Sequence, residues 1–156
     1  MFLIPAVALQ LEGKDIFDFF SMELITAILF LVGMAISMLI GYLALFEFAR
    51  TGEGTPIPFD PPGKLVVTGV YTVVANPLQL STLMMLTCIM IAYKSYVMLL
   101  PIAILILYSE IFVRWHHSVD IEKRFGAEWV QYRASVRNWI PRLSLMPINS
   151  SLNKKY

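Results

Sequence analysis

The chain has 156 residues, 58% of them hydrophobic and only 15% charged, with a net charge of +1 and a mean hydropathy of +0.69. Soluble domains are near half apolar and about a quarter charged, so this composition points to an integral membrane protein, helical because a helix satisfies its own backbone in lipid. The near-zero charge argues against nucleic acid, and the single cysteine, Cys88, excludes an intrachain disulfide and a paired-cysteine metal site.

Residues 1–20 open with an apolar run, Met1 to Leu11, followed by Glu12, Lys14, Asp15 and Asp18. The run lacks a basic leading region and a small-residue cleavage motif, so it is read as a short interfacial or partly inserted segment, not a signal peptide. Residues 22–48 hold a first span. Leu24 to Phe46 carries no charge, lies between Glu23 and Glu47, and contains Gly33, Ala35, Ser37 and Gly41, small residues that suit close helix packing in lipid.

Residues 50–77 form a connector in which Pro56, Pro58, Pro61 and Pro62 stiffen the backbone and Gly63 and Gly69 supply turns. Residues 78–124 read as a helical hairpin turning near Lys94-Ser95. Its apolar arms are each short of the roughly 20 residues a span needs, and its second arm continues as a polar helix through Arg114 and His117 to Arg124. In residues 126–142, Gly126 breaks the pattern, Ala127 to Arg137 reads as a short amphipathic helix, and Trp139-Ile140-Pro141-Arg142 ends it. Residues 143–156 form a polar tail.

The expectation is one all-α integral membrane domain. It has three transmembrane helices, a further apolar segment at the N-terminus and a cytoplasmic C-terminal helical segment. Arg50 and Lys64 in the connector, with Arg114, Lys123, Arg124, Arg133, Arg137 and Arg142 after the last span, put both on the cytoplasmic side.

Taken in order, Gly54-Thr55-Pro56-x-Pro58, Pro61-Pro62, Leu65-Val66-Val67, Gly69-x-Tyr71 and Asn76-Pro77 resemble the isoprenylcysteine carboxyl methyltransferase family, a group similar to the phospholipid N-methyltransferases. Ile121, Phe125-Gly126, Trp129, Tyr132, Val136 and Ile140-Pro141-Arg142 are similar to the family's closing pattern, so the resemblance runs from Gly54 to Arg142. It implies S-adenosylmethionine bound in a cytoplasmic pocket made by the last two membrane helices and the polar C-terminal segment. It also implies a lipophilic small molecule or lipid as methyl acceptor, reaching the site from the bilayer. The cofactor would rest on the turn from Tyr71 through Asn76 and Pro77 to Leu78 and Gln79. Trp129 and Tyr132 would be ring walls, and Arg133 and Arg142 would hold the carboxylate. The chain departs from the family at Ala75, where an arginine is usual, at Gln79, where a tyrosine is usual, and at His117 and Ser118, where an acidic pair is usual.

Glu110, Arg114 and His117 fall at helical spacing on one face and form the candidate catalytic group. In this reading Glu110 takes up a proton or orients His117, and His117 acts as base toward a thiol, amine or hydroxyl. The plainer reading is a Glu110–Arg114 pair at a helix exit. His116 and His117 are adjacent on a helix and point apart, so no metal site is expected. Trp115, Trp129 and Trp139 also suit an interfacial belt, and the basic tail suits contact with anionic membrane lipid.

The expected function is S-adenosylmethionine-dependent methyl transfer, with carboxylate, amine and thiol acceptors all open. The alternatives are a non-catalytic membrane binding or assembly module that keeps the fold, and a small helical transport or channel component.

Overall fold

Two kinds of sequence build the helices. Apolar runs give α1 (Leu3–Leu11), α2 (Leu24–Thr51), α3 (Pro77–Ala92) and α4 (Leu99–Phe112), whereas charged, amphipathic ones give α5 (Ser118–Phe125) and α6 (Ala127–Ser135). The computed structural model describes residues 3–52, 63–112 and 118–142, and among these no strand occurs. The proline-rich run Gly54–Pro62, Arg114 to His117 and the tail from residue 143 lie outside the described residues.

Local chemistry explains the boundaries. Pro77 opens α3, where the amide hydrogen it lacks is not needed, and Pro101 sits in the first turn of α4 for the same reason. Between them the chain reverses at Lys94, whose φ of 49° is in the left-handed region, and continues through a tight helical turn at Tyr96–Met98. The expected turn near Lys94-Ser95 is where it occurs. Asp15 and Asp18 form a reciprocal cap on the short turn Ile16–Ser21.

The expectation of an all-helical fold with three transmembrane helices is met in part. Of the described helices only α2, at 28 residues, is long and apolar enough to cross a membrane. α3 has 16 residues and α4 has 14, or about 24 and 21 Å of helix against a hydrocarbon core of about 30 Å. The 9-residue α1 is likewise no span. One boundary also moves: α6 stops at Ser135 instead of Arg137. Val136 is extended (φ −126°, ψ 127°), which frees the Arg137 carbonyl to accept the Ala75 amide at 3.0 Å.

The chain divides into two units. The first comprises Met1–Leu39 and Gln79–Ile111. Its core joins Ala8 and Leu9 of α1 to Met85 and Ile89 of α3 and to Met98, with Phe30 and Met34 of α2 against them. The small residues of α2 act as expected here. A Cβ on Gly33 would lie 2.5 Å from the Cys88 sulfur, so α2 and α3 touch where glycine meets cysteine. One turn on, the Ser37 hydroxyl donates to the Ser81 carbonyl at 2.5 Å. The N-terminal segment is tied in by polar groups. The Glu12 carboxylate accepts the Val97 amide (2.9 Å) and the Lys14 ammonium (2.7 Å), and Lys14 also donates to the Lys94 carbonyl (2.9 Å).

The second unit comprises Ile40–Leu78 and Phe112–Tyr156. Two apolar clusters hold it. Ala44, Val66 and Tyr71 pack with Phe48, Val70 and Leu78. Leu65, Val67, Tyr132 and Val136 pack with Ala75, Phe125 and Trp129. The Leu65-Val66-Val67 triplet alternates between them, as an extended segment must.

Candidate functional site

The second unit brings the strap Gly63–Pro77 and the segment 126–142 together. Three hydrogen bonds join them: the Tyr132 hydroxyl to the Tyr71 carbonyl (2.8 Å), the Ala75 amide to the Arg137 carbonyl (3.0 Å) and the Arg142 amide to the Val73 carbonyl (2.8 Å). Gly126 starts α6 at φ 53°, ψ −126°, a conformation that side chains with a Cβ resist. The sharp entry sets the face of α6 that carries Trp129 and Tyr132 against the strap.

The cofactor residues expected from the sequence differ in their surroundings. Tyr132 is 2% exposed, its ring packed among Leu65, Val67 and Val136 and its hydroxyl engaged by Tyr71. An aromatic residue opposite an apolar strap is thus drawn into the core. Trp129 stays half-buried, with the Arg133 guanidinium stacked 5.5 Å from its ring centroid, and Arg133 also bonds the Asn138 side chain. Arg142 contributes its amide to the strap. The turn residues Tyr71, Asn76, Pro77 and Leu78 lie in this same unit. Pro77 is fully buried, and Leu78 packs beside Tyr71.

Asn76 differs from its neighbours. Its side-chain nitrogen is buried and has no hydrogen-bond partner among the described residues. A buried amide donor left unpaired costs about 1–3 kcal/mol, and such groups in native structures call for an explanation, a bound ligand among them.

Gln79 and Glu110 belong to the first unit. Gln79 accepts the Ser109 hydroxyl at 2.6 Å, and Glu110 is half-buried next in sequence. Arg114 and His117, the other members of the expected catalytic group, lie outside the described residues.

Sequence reasoning missed Glu47, treating it only as the end of a span. It is 7% exposed, accepts the Thr68 hydroxyl and pairs with Arg50 at 2.8 Å. Gly69 lies directly against it at φ +56°, where a Cβ would come within 2.9 Å of the carboxylate. The available signal was a carboxylate three residues before an arginine, with Thr68-Gly69 downstream. Together these groups fix the start of the turn Gly69–Thr72. Burial, with the Glu47 charge second, pushes the Tyr71 phenol up to about 12. Burial likewise raises Tyr132, with Tyr71 adding and Arg133 opposing. Both rings are neutral at physiological pH, which is the form in which Tyr132 donates to the strap.

No group of three or more metal-ligating side chains occurs among the described residues. No protein-family model matches the chain, and no curated protein and no solved structure gives a significant match to it.

Proposed function

We propose that this protein is a membrane methyltransferase that takes its methyl group from S-adenosylmethionine and passes it to a lipophilic acceptor, with the turn 71–79 as its donor-binding element. The observation that carries the reading is the buried amide nitrogen of Asn76, which has no partner among the described residues, at a position to which the family resemblance assigns the cofactor. It is supported by the strap and the segment 126–142 being packed and hydrogen-bonded together.

The residues present fit the cofactor in part. Asn76 offers a donor, the strap offers backbone groups, and Arg142 is a candidate for the carboxylate. Trp129 and Arg133 already engage each other, so their use requires the cation to share the indole with adenine. When bound, S-adenosylmethionine supplies an electrophilic methyl group. The work left to the chain is to hold the donor, align it with the acceptor and exclude water. Glu110, Arg114 and His117 remain the proposed proton-handling group.

In this reading α2 crosses the bilayer, the α3–α4 hairpin supplies the second and third spans, and the C-terminal segment is cytoplasmic. Exposed Leu99, Leu100, Ile104 and Leu107 on α4 support the hairpin's contact with lipid. Its short arms are accommodated by local thinning or tilt of neighbouring elements.

A second reading is favoured by the filled space around Tyr132 and by Ala75 and Gln79 standing where the family has arginine and tyrosine: a module that keeps the fold without the chemistry. Calorimetric titration of the detergent-solubilised protein with S-adenosylmethionine separates the two. The methyltransferase reading expects saturable binding that Asn76→Ala weakens about tenfold, the worth of one hydrogen bond to a charged or buried group, with the stability of the ligand-free protein kept or raised because the unpaired donor is gone. No binding at millimolar cofactor removes it.

A further inference from the structure

The first unit contains a cleft of about 570 Å³ that the methyl-transfer reading does not use. Ile4, Val7 and Leu11 form one wall, a single face of α1 at helical spacing; Met85 of α3 and Leu100 and Ile104 of α4 form the others. Among the described residues, none that lines it is charged. Its polar side chains are Thr82 near the start of α3 and Tyr108 near the end of α4, so the hydroxyls gather at one end. The opposite end, at Leu11 and Val97, is where the Glu12 carboxylate takes the Val97 amide and where Lys14 reaches the Lys94 carbonyl. The cation at that end is already held by Glu12 at 2.7 Å.

We propose that this cleft takes one acyl chain of a bilayer phospholipid, with α1 held over it as a wall by the Glu12–Lys14 clasp. Three features select that occupant. The first is size. From Val97 to Tyr108 the cleft follows about 16 Å of helix. A single extended hydrocarbon chain of that length fits within it. The second is chemistry. An uncharged lining leaves a phosphate head no place inside, so the head remains at the interface while the tail enters. The third is the surroundings. The apolar window of α2 is only 6% buried, and Leu24, Leu29, Val32 and Leu39 are all more than half exposed, so hydrocarbon is the solvent this chain meets. The clasp explains why a helix as short as α1 stays in place. Two of its side chains are bonded to the hairpin turn, and Ala8 and Leu9 are buried beneath it.

The test uses the full chain in phosphatidylcholine nanodiscs doped with a phosphatidylcholine whose acyl chain carries a diazirine. After irradiation, labelled residues are identified by peptide mass spectrometry. Labelling several-fold heavier on Met85, Leu100 and Ile104 than on the outer face of α2 at Leu29, Val32 and Leu39 is expected. Ile104→Trp, and independently Leu100→Trp, should fill the cleft and abolish that preference while labelling of α2 is unchanged. Glu12→Gln should lower labelling of Ile4 and Val7 selectively. Equal labelling of cleft and α2 overturns the proposal. So does a preference that survives both tryptophan variants, or a cleft that takes no label because a second copy of the chain covers it.

Discussion

In the first unit helices meet through methionine, leucine and isoleucine, and closeness is set by glycine, serine and cysteine; in the second an irregular strap is bonded to a polar helix through backbone groups and a tyrosine hydroxyl. The contrast follows from what each segment offers. A helix satisfies its own backbone, so the first unit needs only complementary side-chain shape. The strap forms no ladder, and the Tyr71 and Val73 carbonyls and the Ala75 amide find their partners in residues 126–142. The apolar unit should therefore fail through steric misfit, and the polar one through loss of a ring or a hydrogen bond.

The largest effect is expected in the second unit. Tyr132→Ala removes a ring buried to 2% exposure and should cost about 3–5 kcal/mol. It should expose the segment after Phe125 to protease in detergent while α2 and α3 stay protected. Tyr132→Phe keeps the ring and loses only the bond to Tyr71, a cost of about 0.5–1.5 kcal/mol. If the two variants melt alike, the hydroxyl and not the packing holds the unit.

Next comes the α2–α3 contact. Gly33→Ala places a methyl group 2.5 Å from the Cys88 sulfur and should lower stability by about 1–3 kcal/mol, as overpacking does. Cys88→Ala should restore most of that loss, since it deletes the atom in conflict. Failure of the double variant to recover would mean that the helices are spaced by something other than this pair.

The clasp gives the smallest and most pH-specific signal. The Lys14 ammonium, then the Val97 amide, hold the Glu12 carboxyl down to about 2 from 4.5. Because the folded-state value is depressed, the stabilisation is complete above pH 4.5 and fades as pH falls toward 2. The difference in melting temperature between wild type and Glu12→Gln should accordingly be constant above that window and shrink within it. A difference that is flat through the window would show that the carboxylate does not hold the hairpin turn.

Much of this was legible in the sequence because it depends on local chemistry. The charge-free run from Leu24, the reversal at Lys94-Ser95, the small residues Gly33 and Ser37, and the break at Gly126 all follow from single-residue properties. The tertiary partners of residues were not legible. Tyr132 looked like a cofactor wall because aromatic spacing on α6 is the same whether its neighbour is a nucleoside or Leu65 and Val67. Glu47 looked like a span boundary because its partners, Thr68 and Gly69, are more than twenty residues away. Glu12 and Lys14 looked like a polar flank because their partner is the hairpin turn. The lengths of α3 and α4 were legible too, because Lys94-Ser95 divides the apolar run into two short arms.

On the proposed reading the turn at Asn76, closed by residues 126–142, receives the methyl donor. Amide hydrogen exchange on the detergent-solubilised protein, with and without S-adenosylmethionine, tests it most directly. Slower exchange confined to residues 69–79 and 126–142, abolished by Asn76→Ala, is the outcome this account requires. Unchanged exchange in both segments at saturating cofactor, or protection that appears only on other helices, would contradict it.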